Sequence, residues 1–237
     1  MPRLHRLRTL ALPSPAVAVA ALALAACGGD GSGTGSSGAA EGTVVKGPGV
    51  QTTKPPWPLE KAHMAQRVRI LGLPEPGKEK YHIHTQLRVY VDGLLVPVPA
   101  KIAFDPAKRI VAGLHTHDQS GVIHLEADKP FKATLGDVFY LWGLRLAANE
   151  VGGLRDDGDE RVQAFVNGKP ISDPAAHVLR KDDNIVVGYG KPGTFPTRPD
   201  TKLLEEANKG GSMACSNARK GEKKTSCVVG ELGGNQQ

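Results

Sequence analysis

The sequence predicts an α+β domain, a mixed sheet carrying one short helix and extended by an N-terminal β-hairpin. Three observations carry this. Apolar residues alternate with polar ones from Tyr81 to Val91; tight-turn signals stand at Asp92-Gly93, Asp118-Gln119-Ser120-Gly121 and Asn167-Gly168; and between the strand-like stretches lies one segment with helical spacing.

Each element follows from local chemistry. Pro58 suits the first turn of a helix over residues 58–72, on which Met64, Val68 and Leu71 recur at i, i+4 and i+7 before Pro74, Pro76 and Gly77 close it. In 81–91 the odd positions Tyr81, Ile83, Leu87, Val89 and Val91 are apolar, and the even positions are His82, His84, Gln86, Arg88 and Tyr90. That pattern is a half-buried strand with its histidines on the polar face. Residues 94–98 return as an edge strand because Pro97 and Pro99 interrupt it. Val111–His117 and Val122–Ala127 form a hairpin around the turn 118–121, so 117 faces 122 and His115 faces His124, with Cβ atoms roughly 5 Å apart. Thr134-Leu135-Gly136-Asp137 reads as a capping box opening a helix that carries Leu135, Val138, Leu141 and Trp142 and ends at Gly143. A polar loop from Glu150 to Glu160, a strand Val162–Val166 and a last strand Asn184–Tyr189 complete the sheet. A short helix Thr201–Asn208 follows, and then a basic tail containing Cys215 and Cys227.

The ends of the chain set its organisation. Its 237 residues carry 30 Lys and Arg against 24 Asp and Glu, a formal charge of +6. Residues 1–26 hold Arg3, Arg6 and Arg8, an apolar run from Ala16 to Ala26, and no acid, so their removal leaves +3. This is an export signal whose apolar run is too short to span a bilayer. Leu24-Ala25-Ala26-Cys27 resembles the lipobox of bacterial lipoproteins. The resemblance implies that Cys27 is lipidated, becomes the mature N-terminus, and anchors the protein to the extracytoplasmic face of the cell membrane. Residues 27–57, rich in Gly, Ser, Thr and Pro, are expected to form a flexible tether. The short helix then occupies 58–77, the histidine-containing α+β domain 78–193, and a C-terminal helix and tail 194–237. In an exported protein Cys215 and Cys227 most simply form a disulfide, worth roughly 3 kcal/mol for a loop of that size; a metal-thiolate pair is the alternative.

Residues 81–200 hold 14 Lys and Arg against 15 Asp and Glu, a net charge of −1. The excess positive charge therefore lies in the flanks, and no basic face with stacking aromatics suits a nucleic acid. Nothing in the sequence names a protein partner.

Residues from about 122 to 190 resemble a ubiquitin-like β-grasp, in particular the sulfur-carrier proteins of thiamine and molybdopterin synthesis. The similar parts are the helix opened by Thr134-Leu135-Gly136-Asp137, the run Phe165-Val166-Asn167-Gly168, and Val178-Leu179-Arg180-Lys181-Asp182-Asp183-Asn184-Ile185-Val186-Val187. Those carriers act through a C-terminal Gly-Gly. Here the last strand runs on through Gly190-Lys191-Pro192-Gly193, and Gly233-Gly234 is followed by Asn235-Gln236-Gln237, which argues against sulfur transfer. The block around His82-Ile83-His84, His115-Thr116-His117 and His124 is also similar to a secreted, His-rich bacterial domain of no established function.

The chemistry resides in the histidines. Five of the eight, at 82, 84, 115, 117 and 124, fall within 43 residues. Alternation puts His82 with His84, and His115 with His117, on shared strand faces, and the hairpin register adds His124. With Glu126 nearby, these imidazoles suit a divalent ion, Zn, Cu(II) or Ni. They equally suit a solvated face, a structural hydrogen-bond network or a pH sensor. His63 and His177 stand apart. Catalytic signatures are incomplete: His115-Thr116-His117-Asp118 is similar to the His-x-His-x-Asp-His of metallo-β-lactamases, but its Asp comes one residue early and no His follows. No Gly-x-Ser-x-Gly elbow or phosphate loop is present. The leading expectation is a binding module with a His-based metal site formed by His82, His84, His115, His117, His124 and Glu126. The alternatives are a metal-free structural or protein-interaction module and a metal-dependent hydrolase.

Overall fold

The computed structural model describes residues 42–76 and 80–209. The signal, Cys27, Cys215 and Cys227 lie outside them. The chain order is α1 (Met64–Leu71), β1 (Tyr81–Val91), β2 (Leu94–Val96), β3 (Phe104–Asp105), β4 (Ile110–Val111), β5 (Leu114–His115), β6 (Val122–Ala127), α2 (Leu135–Trp142), β7 (Leu146–Ala147), β8 (Glu150–Val151), β9 (Leu154–Arg155), β10 (Arg161–Val166), β11 (Lys169–Ile171), β12 (Asn184–Gly190) and α3 (Lys202–Asn208). Among the described residues no helix is long and apolar enough to cross a membrane.

The fold is mixed α+β, as the alternation predicts. A seven-stranded sheet runs β11-β10-β12-β1-β6-β5, with β2 paired to the far half of β1. β1 and β12 are parallel, and the other pairs in the sheet are antiparallel. The β-grasp resemblance on residues 122–190 is not confirmed: that window holds only one of the two parallel central strands, because the other, β1 (Tyr81–Val91), precedes it.

One face of the sheet carries Leu87, Val89, Ile123, Leu125, Ile185 and Val187 and is packed under α2. The capping box of α2 is present: Thr134 Oγ1 accepts from the Asp137 amide at 3.1 Å, and Asp137 Oδ2 from the Thr134 amide at 2.7 Å. Gly143 ends the helix at φ 78°, a conformation in which a Cβ would meet Glu60 and Arg67.

The expected tether is shorter than 27–57. Residues 42–57 pack along α2 and its exit: Val45 donates to Leu146 O at 2.8 Å, Gln51 to Gly143 O at 2.9 Å, and Trp142 Nε1 to Trp57 O at 3.1 Å. Buried Val45 and Trp57 supply the apolar anchors that offset the entropy of ordering this Gly- and Thr-rich stretch. The first helix is also shorter than 58–72. It starts at Met64 behind His63, and its most buried side chain is Arg67. Arg67 pairs with the Glu60 carboxylate and donates to the carbonyls of Glu60 (2.5 Å), Pro48 (3.0 Å) and Leu141 (3.2 Å). The Glu150–Glu160 stretch, expected as loop, contains β8 and β9 of a small three-stranded sheet, with Glu150 held between Arg145 (2.6 Å) and Arg155 (3.1 Å). β11 was not foreseen either.

The other face of the sheet is not simply solvated. The segment after β12 crosses it and returns as α3, which buries Leu204 and Ala207 against β1 and β6. Gly188 leaves room for Phe195, which stacks on Tyr90 at a centroid distance of 5.7 Å; a Cβ at 188 would lie 2.1 Å from that ring. Asp200 O accepts from Gln86 Nε2 (2.8 Å), and Pro199 O from Asn184 Nδ2 (2.6 Å). The C-terminal helix, expected as a separate element, is thus part of the domain and covers the polar face of β1.

Candidate metal centre

The register puts three histidines in one row. β1 pairs His84 with His124, and β6 pairs His124 with His115; one step along, His82 faces Glu126. The expected opposition of 115 and 124 is therefore present. The expected strand to His117 is not, because β5 ends at His115. Thr116 is fully buried and tied to the 99–102 loop: its hydroxyl donates to Pro99 O (2.9 Å) and accepts from the Ile102 amide (3.1 Å). This staple turns the chain so that the rings of His115 and His117 still converge, their Nε2 atoms 3.2 Å apart.

All six expected residues lie on this face, and they sort into two overlapping groups. His115, His117, His124 and Glu126 each offer one donor atom within 4.8 Å of the others, and so do His82, His84 and His124. Both groups can hold a metal ion. Glu126 Oε1 is the hub, 2.8 Å from His82 Nε2, 3.1 Å from His124 Nδ1 and 3.9 Å from His115 Nε2. Donors around a tetrahedral ion at 2.0–2.1 Å stand about 3.3 Å apart, so these separations fit a shared ion.

Neighbouring polar groups fix which nitrogen is available. His115 Nδ1 donates to Ala112 O at 2.8 Å, leaving Nε2 as the lone-pair nitrogen that faces His117. For His84 the orientation comes from α3: Asn208 Nδ2 donates to Asp182 Oδ1 at 2.7 Å, which turns Asn208 Oδ1 toward His84 Nδ1 at 2.9 Å. His84 Nδ1 therefore carries the proton, and Nε2 is free to bind. Phe104 stacks on His115 (5.1 Å) and meets His117 edge-on (4.9 Å), closing the apolar side. His115, His124, His84 and Glu126 are buried, whereas His82 and His117 reach the surface.

Electrostatics favours a cation. Burial lowers His115 to about 4, with His117 and His124 adding to the shift and Glu126 opposing it. Burial also lowers His117, and it lowers His84 against the hydrogen bond to Asn208. Burial alone would raise Glu126; the hydrogen bond from His124 and the charges of His115, His82 and His124 outweigh it and hold the carboxyl at about 2. At neutral pH His84, His115 and His117 are thus neutral imidazoles beside the Glu126 carboxylate, the states that metal binding requires.

Phe104, Ala112 O, Asn208 and Asp182 were not found from the sequence. Only Asn208 had a signal, as the end of the expected last helix, and nothing local links it to a residue 124 positions away. His63 bonds Glu60 (3.2 Å) and His177 bonds Asp183 (2.9 Å), both away from the cluster. Comparison with protein-family models, curated proteins and solved structures finds no match to this chain.

Proposed function

We propose that the protein is a membrane-anchored extracytoplasmic lipoprotein whose folded domain is a metal-binding module, with Zn or Cu(II) held by His115, His117, His124 and Glu126. The observation that carries the metal reading is the convergence of these four donors, with His115 Nε2 freed by the bond from Nδ1 to Ala112 O. Three imidazoles and one carboxylate without thiolate or thioether suit Zn or Cu(II) better than Cu(I). The anchor rests on Leu24-Ala25-Ala26-Cys27. Lipidation at Cys27 would hold the domain at the membrane surface on the segment preceding residue 42.

Elemental analysis of protein purified without a histidine tag tests the metal, alongside thermal unfolding with and without chelator. Bound Zn or Cu and a chelator-dependent fall in Tm are expected; no bound metal and an unchanged Tm would overturn the reading. Intact mass of the membrane-extracted protein tests the anchor: Cys27→Ala should lose the lipid mass and leave the membrane fraction.

One observation favours a metal-free structural or interaction module. Glu126 Oε1 lies within hydrogen-bond distance of both His82 Nε2 and His124 Nδ1, so the cluster also closes as a network of its own. On that reading chelation leaves Tm unchanged, and replacing His115 and His124 together by Gln leaves partner binding intact.

A further inference from the structure

We propose that His82 is the exchange ligand of this site, a surface imidazole that takes a single divalent ion from an incoming chelate and passes it to His115, His117, His124 and Glu126, so that the module transfers its metal. This rests on the metal reading above and extends it. His82 lies outside the four donors of that site but touches two of them. Its Nε2 is 2.8 Å from Glu126 Oε1 and 3.3 Å from His124 Nδ1, and those two atoms are 3.1 Å apart. These edges match the spacing of about 3.3 Å between donors around a tetrahedral ion, so an ion on Glu126 Oε1 and His124 Nδ1 is within reach of His82. His115 stands on the opposite side: β6 lies between β1 and β5, and His115 Nε2 is 3.9 Å from the same Glu126 oxygen.

Exposure sets the direction. The His82 side chain is 34 % exposed, against 8 % for Glu126 and 0 % for His115. A buried ion in a closed four-donor shell exchanges slowly unless another donor enters before one leaves, and His82 is the donor placed to enter. His117 also reaches the surface, but it belongs to the resting shell, its Nε2 3.2 Å from His115 Nε2 and its ring edge-on to Phe104 at 4.9 Å. On loading, the bond from the ion to the incoming chelate breaks as the bond to His82 Nε2 forms, and that bond breaks in turn as the bond to His115 Nε2 forms. The proton between His124 Nδ1 and Glu126 Oε1 passes to solvent, which returns one to His124 Nε2, so Nδ1 binds the ion. The metal keeps its oxidation state throughout. Loading and unloading share one path, so losing the exchange ligand raises a barrier common to both and leaves Kd in place.

Stopped-flow exchange of Zn(II) between the full chain, its thiols alkylated, and the chromophoric chelator 4-(2-pyridylazo)resorcinol tests the proposal, with Kd measured on the same samples. In the native protein the release rate should rise with chelator concentration. His82→Gln should slow both release and loading about tenfold and move Kd by less than about threefold. Equal rates in native protein and variant overturn the exchange role and leave the proposed function standing. Faster release with a Kd weakened in step makes His82 a resident ligand and likewise overturns the proposal. No bound Zn(II) in the native protein overturns both readings. His82→Asn, carried through the same measurements, keeps the test valid should His82→Gln fail to fold, with circular dichroism of the metal-free forms as the check.

Discussion

Asn208→Ala separates a metal-orienting role from a merely structural one. The substitution removes the 2.9 Å contact with His84 Nδ1 and the 2.7 Å contact with Asp182 and leaves every candidate ligand in place. Asn208 and Asp182 are exposed, so water takes over the lost bonds and the stability cost is about 1 kcal/mol. For a body of this size that lowers Tm by roughly 2–4 °C. Metal affinity should suffer more. Loss of an outer-shell partner typically weakens binding about 10- to 100-fold, or roughly 1.4–2.7 kcal/mol, because the ring no longer presents a fixed nitrogen. The assay is competitive Zn(II) titration against a chromophoric chelator on protein shown to be folded at the titration temperature. The affinity of the histidine face should fall by that factor. Asn208→Asp, which keeps an oxygen for His84, should recover most of the loss. An affinity that moves less than threefold would refute the reasoning.

Trp57→Ala should destabilise the domain by about 3–5 kcal/mol and lower Tm by about 10 °C, because Trp57 is 3 % exposed and its carbonyl caps the Trp142 indole; a drop below 2 °C would return residues 42–57 to the tether. Arg67→Met should cost about 3–5 kcal/mol, read as a lower urea midpoint, since it removes the buried cation that Glu60 pairs with and the donor to the carbonyls of Glu60, Pro48 and Leu141. Acid should weaken the metal-free protein in two stages with the same sign. His115, at about 4 in the fold, refuses a proton that the unfolded chain takes near 6.5, so stability is full above that pH and declines as pH falls toward 4. Glu126, at about 2, contributes above its ordinary 4.5 and loses that contribution between 4.5 and 2. A urea midpoint that rises between pH 7 and 5 would contradict this, and His115→Gln should flatten the upper stage.

What the sequence makes legible is whatever a single element decides. The alternation in 81–91, the capping box at Thr134 and the turn at 118–121 are local, and counting outward from that turn is enough to set His115 opposite His124. The limits of β5 were not legible because Thr116 gives up the sheet ladder for the 99–102 loop, a bargain visible only once the loop is folded. Arg67 breaks the helical stripe expected for α1: its charge is buried because four oxygens from three separate segments converge on it. Likewise the even positions of β1 read as solvated, yet residues 195–208 cover them, and it is this covering strand of chain that delivers Asn208 to His84.

The two donor groups also differ in the chemistry they allow. Three imidazoles and Glu126 fill a tetrahedral shell, the closed arrangement of a structural or storage site. His82, His84 and His124 supply three donors, so a metal-activated water at the fourth position requires that Glu126, 2.8 Å from His82 and 3.1 Å from His124, serve the other group instead. A hydrolase reading of this face depends on that open position and on a substrate approaching past exposed His82, with Asn208 of α3 near His84. Binding function, by contrast, survives on the first group alone. His84→Gln, which spares His115, His117 and Glu126, would abolish hydrolysis and leave one tightly held ion, whereas Glu126→Gln would loosen the ion that a binding module needs most.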